Sequence, residues 1–194
     1  KYLIEQGIAH PGKIGLQGHS WSGFQTSYLV TKTDLFTCAN IGAPITDMVT
    51  GYLGIRGGSG LPRYFMYEEW QSRMGKNLWE AKDKYLANSA IIEADKIHTP
   101  LLIWHNDKDE AVAYEQGRAL YLAMRRLQRP AWHLNYKGEG HFLSNQAAQK
   151  DWTIRMMQFF DYYLKGTKRT ALDERGYSSE GNVGIDQKYD LLEK

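Results

Sequence analysis

The sequence predicts an α/β fold, a mostly parallel sheet of about four strands with helices on both faces. Three observations lead there. Short apolar runs, bounded by glycine, proline and polar clusters, recur along the chain. Between them lie stretches with apolar residues at helical spacing. Finally, a turn of small residues, Gly18-His19-Ser20-Trp21-Ser22-Gly23, ends the first apolar run and opens the first helical stretch.

The elements follow in order. Residues 1–7 read as the end of a helix. After the turn pair Pro11-Gly12, residues 13–17 suit a short buried strand, and 23–31 suit a helix. Residues 36–43 (F-T-C-A-N-I-G-A) read as a second buried strand, closed by Pro44. Residues 48–60 hold five glycines and read as a loop. Two helices, 63–74 and 78–87, read as an insertion. Residues 100–104 (P-L-L-I-W) are a third buried strand, and 131–136 a fourth after Pro130. A helix over 113–128 carries Gly117, Leu120, Met124 and Leu127 at helical spacing. The last helix, about 145–164, carries Trp152, Met156, Phe159 and Tyr163 as its core stripe, and Gly166 is its stop. Residues 167–194 are polar and without clear periodicity, a loosely attached tail. The domain reading is therefore 1–166 plus a 167–194 tail.

Composition bounds the function. A chain of 194 residues is one domain or a large piece of one. Lys+Arg 24 against Asp+Glu 22 gives a formal charge of +2 without a dense basic run, so nucleic-acid binding has no support. No segment approaches the roughly 18 apolar residues of a membrane span. No signal peptide is visible, although the helix-like opening at 1–7 leaves room for one upstream. The single Cys38 cannot form an internal disulfide. Among the histidines, no pair has metal-ligand spacing with a third ligand, so neither metal nor cofactor is expected.

In a parallel sheet, reactive residues gather at the carboxyl ends of the strands. The first strand leads to Ser20. The third leads to His105-Asn106-Asp107-Lys108-Asp109, and the fourth to Gly138-Glu139-Gly140-His141. Serine, acid and histidine in that chain order are the arrangement of the α/β-hydrolase fold, with Ser20 on a nucleophile elbow. The chemistry needs these types. A serine hydroxyl is a weak nucleophile, so His141 takes its proton and later passes it to the leaving group. Asp109, with Asp107 as its competitor, fixes the imidazole tautomer. The backbone N–H of Trp21 donates to the developing oxyanion. His19 and His105 read as structural, packing or bonding around the elbow and the acid loop. His10, His98 and His133 carry no companion signal.

These motifs resemble the C-terminal part of the catalytic domain of the prolyl oligopeptidase family of serine peptidases, over residues 7–166. I-G-L-Q-G-H-S-W-S-G resembles the family's elbow, and A-P-I-T-D-M the segment after the next strand. H-N-D-K-D-E-A-V resembles its acid loop, usually H-G-x-x-D-x-x-V, which makes Asp109 the acid. Y-K-G-E-G-H resembles its histidine loop and places the base at His141. Ser22 and Asn106 stand where the family has glycine.

The resemblance implies a serine peptidase acting on short peptides through an acyl-enzyme on Ser20, with proline specificity implied by it alone. A carboxylesterase of the same fold, and a catalytically incompetent fragment serving as an assembly surface, are the alternatives. It implies an apolar pocket, for which Trp21, Met48, Tyr52 and Val112 are candidates. It also implies strands before the elbow, a β-propeller and a tyrosine oxyanion donor, none with a counterpart here, so the chain reads as a fragment of a longer enzyme. A periplasmic or secreted location follows from the resemblance only. With no partner on its outer side, the strand at 13–17 is expected to drive self-association as a twofold dimer.

Overall fold

Four parallel strands, β1 (Gly15–His19), β2 (Cys38–Gly42), β3 (Leu101–Trp104) and β4 (Ala131–Leu134), lie side by side in chain order in a computed structural model that describes residues 1–168. Of the expected tail, residues 169–194 lie outside the description. The register decides where chemistry can happen. His19 pairs with Gly42, Gly42 with Trp104 and Trp104 with Leu134, so all four strands finish in one row. Whatever follows each strand therefore emerges at the same edge of the sheet.

The two central strands are buried throughout, as parallel strands covered on both faces must be. Their side chains alternate between the faces. Ala39, Ile41, Leu101 and Ile103 pack under Leu120 and Met124 of α6 (Glu115–Arg126). Cys38, Leu102 and Trp104 pack on the other face, where α7 (Gln146–Phe160) supplies Ala148 and Phe159. The last helix starts and stops where its sequence says. Asn145 Oδ1 accepts from the N–H groups of Ala147 and Ala148 at 2.8 and 3.2 Å. A π turn, Asp161–Lys165, then ends at Gly166 with φ 68°.

The remaining helices are short: α1 (Tyr2–Glu5), α2 (Trp21–Leu29), α3 (Met48–Tyr52), α4 (Tyr64–Glu68) and α5 (Lys82–Ala87), followed by a 3₁₀ stretch, Ala90–Lys96. Two expectations are corrected here. The segment 48–60 is not all loop, because it opens with α3. Asp47 caps that helix, accepting from Val49 N–H at 2.9 Å and Thr50 Oγ1 at 2.7 Å, and the following glycines mask the signal. The helices expected over 63–74 and 78–87 contract to α4 and α5.

The first strand also differs from the buried strand its apolar run suggests. It starts two residues later than expected, runs on to His19, and is only half-buried, with Gln17 exposed. Among the described residues it pairs on one side alone, with β2. Beside it lies an apolar groove of about 400 Å³, lined by Leu16, Gln17, Met156, Phe160 and Leu164 among others. Met156 thus faces the groove, while Phe159 of the same helix is fully buried in the core. No helix among the described residues is long and apolar enough to cross a membrane.

One buried ring makes stability depend on pH. His133 of β4 stacks on Tyr121, with centroids 5.5 Å apart, and leans on Tyr114. Among the described residues its Nε2 has no hydrogen-bond partner. Burial, reinforced by His105 and Arg118, lowers its pKa from 6.5 to about 4. Between those values the unfolded chain binds a proton that the folded chain refuses, so stability falls as pH drops through that window. Thermal melts should show a lower midpoint at pH 5 than at pH 7, and His133→Phe should shrink the difference. An undiminished pH effect in the variant would assign it to other groups.

Candidate active site

Ser20 occupies the point where β1 turns into α2. Its backbone sits at φ 59° and ψ −118°, a conformation that non-glycine residues rarely adopt. Two backbone bonds hold it there. Ser20 N–H donates to Gly42 C=O at 2.8 Å, and Phe24 N–H donates to Ser20 C=O at 3.0 Å. The turn is tight at residues 18 and 23. A Cβ on Gly18 would stand 2.2 Å from Ser22 O, and one on Gly23 would stand 2.5 Å from Gly42 O. Position 22 is exposed and accommodates its serine. Ser22 Oγ folds back, donating to His19 C=O at 2.8 Å and accepting from His19 N–H at 2.9 Å. The departure from glycine therefore staples the elbow.

Asp109 follows β3, and its side chain has no exposed surface. Oδ1 accepts from the N–H groups of Ala111 and Val112, both at 2.8 Å. Oδ2 lies 2.8 Å from His141 Nδ1 and 3.1 Å from His105 Nε2. Burial alone would raise its pKa. The bonds from His105, His141 and Val112 outweigh it and hold the carboxyl well below the ordinary range. Asp107 has different work: its Oδ1 accepts from Gly138 N–H at 2.7 Å, and its N–H donates to Asn135 Oδ1 at 3.1 Å. Of the two competing acids, Asp109 faces His141 and Asp107 braces a turn.

The tautomer of His105 follows from its partners. Gly117 N–H points at Nδ1 at 3.2 Å, so Nδ1 is the acceptor and Nε2 carries the proton. That N–H is shared between Asp109 Oδ2 and Val112 C=O, each 3.1 Å away. Asn106, the other departure from glycine, ties the acid loop to the histidine loop. Its Nδ2 donates to Gly140 C=O at 2.8 Å, and its Oδ1 accepts from Tyr136 N–H at 3.1 Å. Glu139 closes the histidine loop by accepting from the N–H groups of Ser144 and Asn145.

His141 keeps 14% of its side chain in solvent. Its ring lies 4.7 Å from that of His19, which stacks on Trp104 at 4.8 Å. Burial, and then the neighbouring His141, lower the His19 pKa to about 4, so it is neutral near pH 7. His19, the residue preceding Ser20, thus packs the elbow against the histidine loop. Among the described residues no hydrogen bond joins Ser20 Oγ to His141. Free enzymes often hold such pairs apart until substrate binds. The N–H of Trp21 is one of the first-turn donors that a helix leaves without an intrahelical acceptor.

A sequence profile described as the prolyl oligopeptidase family matches residues 1–167. The chain belongs to that family. The chain is 25% identical over 158 residues to the uncharacterized peptidase YuxL of Bacillus subtilis, covering 79% of this chain and 23% of the relative. It is 27% identical over 192 residues to dipeptidyl aminopeptidase BIII of Pseudoxanthomonas mexicana, covering 96% and 27%. The solved acylaminoacyl peptidase of Pyrococcus horikoshii superposes with a TM-score of 0.72 at 21% identity, covering 91% of this chain and 27% of that one. The last comparison bears on the fold. The chain spans about a quarter of the length of these proteins.

Within this family member, the four expected pocket residues share one apolar cluster. Met48, Tyr52 and Val112 are buried there with Tyr67 and Tyr85, and half-buried Trp21 packs on its rim. The Tyr52 hydroxyl is turned away to Glu68 at 2.7 Å.

Gly117 is a site residue that sequence reading placed only on a helix stripe. Its signal was a glycine inside an otherwise well-patterned helix. A Cβ there would stand 2.7 Å from His105 Nδ1. Helix propensity alone predicts that Gly117→Ala stabilises by about 1 kcal/mol. Crowding against His105 reverses the sign, and a loss of roughly 1–3 kcal/mol is expected in urea unfolding. A stabilised variant would remove His105 from this account.

Proposed function

We propose that this chain carries the nucleophile, base and acid of a serine peptidase that hydrolyses short peptides through an acyl-enzyme on Ser20. The observation carrying this reading is the His141 Nδ1–Asp109 contact of 2.8 Å, at the sheet edge where a serine is held at φ 59°. With Nδ1–H donated to Asp109, Nε2 of His141 is the free base. It takes the Ser20 proton as Oγ attacks the carbonyl carbon. The oxyanion that forms accepts from Trp21 N–H. Collapse breaks the C–N bond, and the imidazolium gives its proton to the departing amine. Water, deprotonated by the same nitrogen, then releases the acid and restores Ser20. Asp109 stays ionised throughout, held so by its four donors. Trp21, half-buried on the rim of the cluster that holds Met48, Tyr52 and Val112, offers the apolar surface beside the reacting carbonyl. The dipeptidyl aminopeptidase among the similar proteins supports short peptides as the substrate class.

Ser20→Ala, His141→Ala and Asp109→Asn should each lower kcat/KM by about 10⁴-fold or more, and the losses should not add. Asp107→Asn should retain most activity; the opposite ranking of the two acids would overturn the choice of Asp109. Labelling of Ser20 by a fluorophosphonate tests the competence of the nucleophile. Comparing a peptide anilide with a p-nitrophenyl ester separates a peptidase from an esterase.

Self-association belongs to the same proposal. Among the described residues β1 has no strand on its outer side, and this edge, beside an apolar groove, is a template for a second copy. Sedimentation of the 194-residue chain at micromolar concentration should show a dimer. A concentration-independent monomer would sink this part.

A further inference from the structure

A buried cation stands apart from the groups just described. Arg63, at the start of α4, is only 5% exposed. Among the described residues no carboxylate lies within ion-pair distance of it. Removing a guanidinium from water without a counter-ion is costly. Its near polar companion is the phenol of Tyr67. That hydroxyl is pinned over Gly51, where a Cβ would come within 2.2 Å of it. A second arginine, Arg56, adds charge of the same sign. Both arginines line a cavity of about 220 Å³ whose other walls include Ser59, Phe65, Met66 and Trp70. Among the described residues no acidic side chain lines it. Burial disfavours the charged form of Arg63, yet a guanidinium remains protonated in proteins. The cavity is thus short of one negative charge.

Its position ties it to the reaction. Tyr67 belongs to the cluster that holds Met48, Tyr52 and Val112 and on which Trp21 packs. Arg63 and Asp109 interact electrostatically. The loop before Arg63 rests on the residue after Asp109: a Cβ on Gly57 would stand 3.4 Å from Glu110 Cα. Met66 lines the cavity and also packs against that cluster, so the two share a wall.

We propose that Arg63, assisted by Arg56, binds a carboxylate of the peptide substrate, giving the enzyme a preference for acidic peptides. The inference rests on the peptidase reading above. A guanidinium fork suits a carboxylate because two parallel N–H···O bonds form at once. The carboxylate has two possible sources, an acidic side chain or a free carboxy-terminus.

Three matched short peptides separate the sources: one with Glu and an amidated carboxy-terminus, one with Gln and a free carboxy-terminus, and one with Gln and an amide. The Glu or Gln is placed on each side of the scissile bond in turn, and cleavage is followed by mass spectrometry. At least one carboxylate-bearing peptide should exceed the neutral one by about tenfold in kcat/KM, equivalent to about 1.4 kcal/mol. The ratio should fall to near one in Arg63→Met and remain intermediate in Arg63→Lys, which keeps charge without the fork. A neutral peptide cleaved as fast as both acidic ones by the wild type overturns the proposal. So does an advantage that survives in Arg63→Met. A wild type that neither labels with fluorophosphonate nor cleaves any peptide fails the peptidase reading instead. Binding then decides: glutarate should raise the wild-type unfolding midpoint more than sulfate at matched ionic strength. No shift, or an equal one from sulfate, overturns carboxylate binding by Arg63.

Discussion

A carboxylate without exposed surface, accepting from four donors, is the constraint on which the arrangement around Ser20 depends. Asp109 draws on two backbone N–H groups of its own loop and two imidazoles from different parts of the chain. Such a group is costly to bury unless every oxygen is satisfied. Satisfying them fixes the 109–112 turn, the His105 ring and the His141 ring in one geometry. His105 in turn requires Gly117, so a helix on one face of the sheet is shaped by an acid at its edge. Charge, tautomer and helix packing are one problem here, solved together.

The sheet supplies the second condition. With His19, Gly42, Trp104 and Leu134 in one row, the residues after three strands converge without long loops. Cross-links then remove the remaining freedom. Asn106 and Asp107 each bond backbone groups of the histidine loop, and Gly42 C=O holds Ser20 N–H. Polar side chains at strand ends do for the loops what the ladder does for the strands.

Much of this was legible in the sequence because the signals are local. Apolar runs marked all four strands. Asn145 and Gly166 marked the ends of the last helical stretch. Strand ends gave the order serine, acid, histidine, while the choice of Asp109 over Asp107 came from the resemblance of the acid loop. What escaped depends on partners distant in the chain. The α3 helix was hidden by glycines within and after it that serve contacts, such as Gly51 beneath Tyr67. The tautomer of His105 is set by Gly117, twelve residues on, and no periodicity encodes that pairing. Nothing in the sequence around Arg63 reports its burial, which the fold alone brings about. The half-buried state of β1 goes with the open outer side expected of it: among the described residues only β2 pairs with it.

Cys38 opens β2, an inner strand of the sheet, with 0% exposure, packed beneath α7. Burial pushes its thiol up to about 12, so thiolate is scarce in the folded chain at neutral pH. It is the sole sulfhydryl in the sequence. Alkylating and oxidising reagents can reach it only when α7 lifts from the sheet or the strands part. The residue therefore acts as a built-in clock for opening of the core: its modification rate reports how often the hydrophobic layer behind the elbow comes apart.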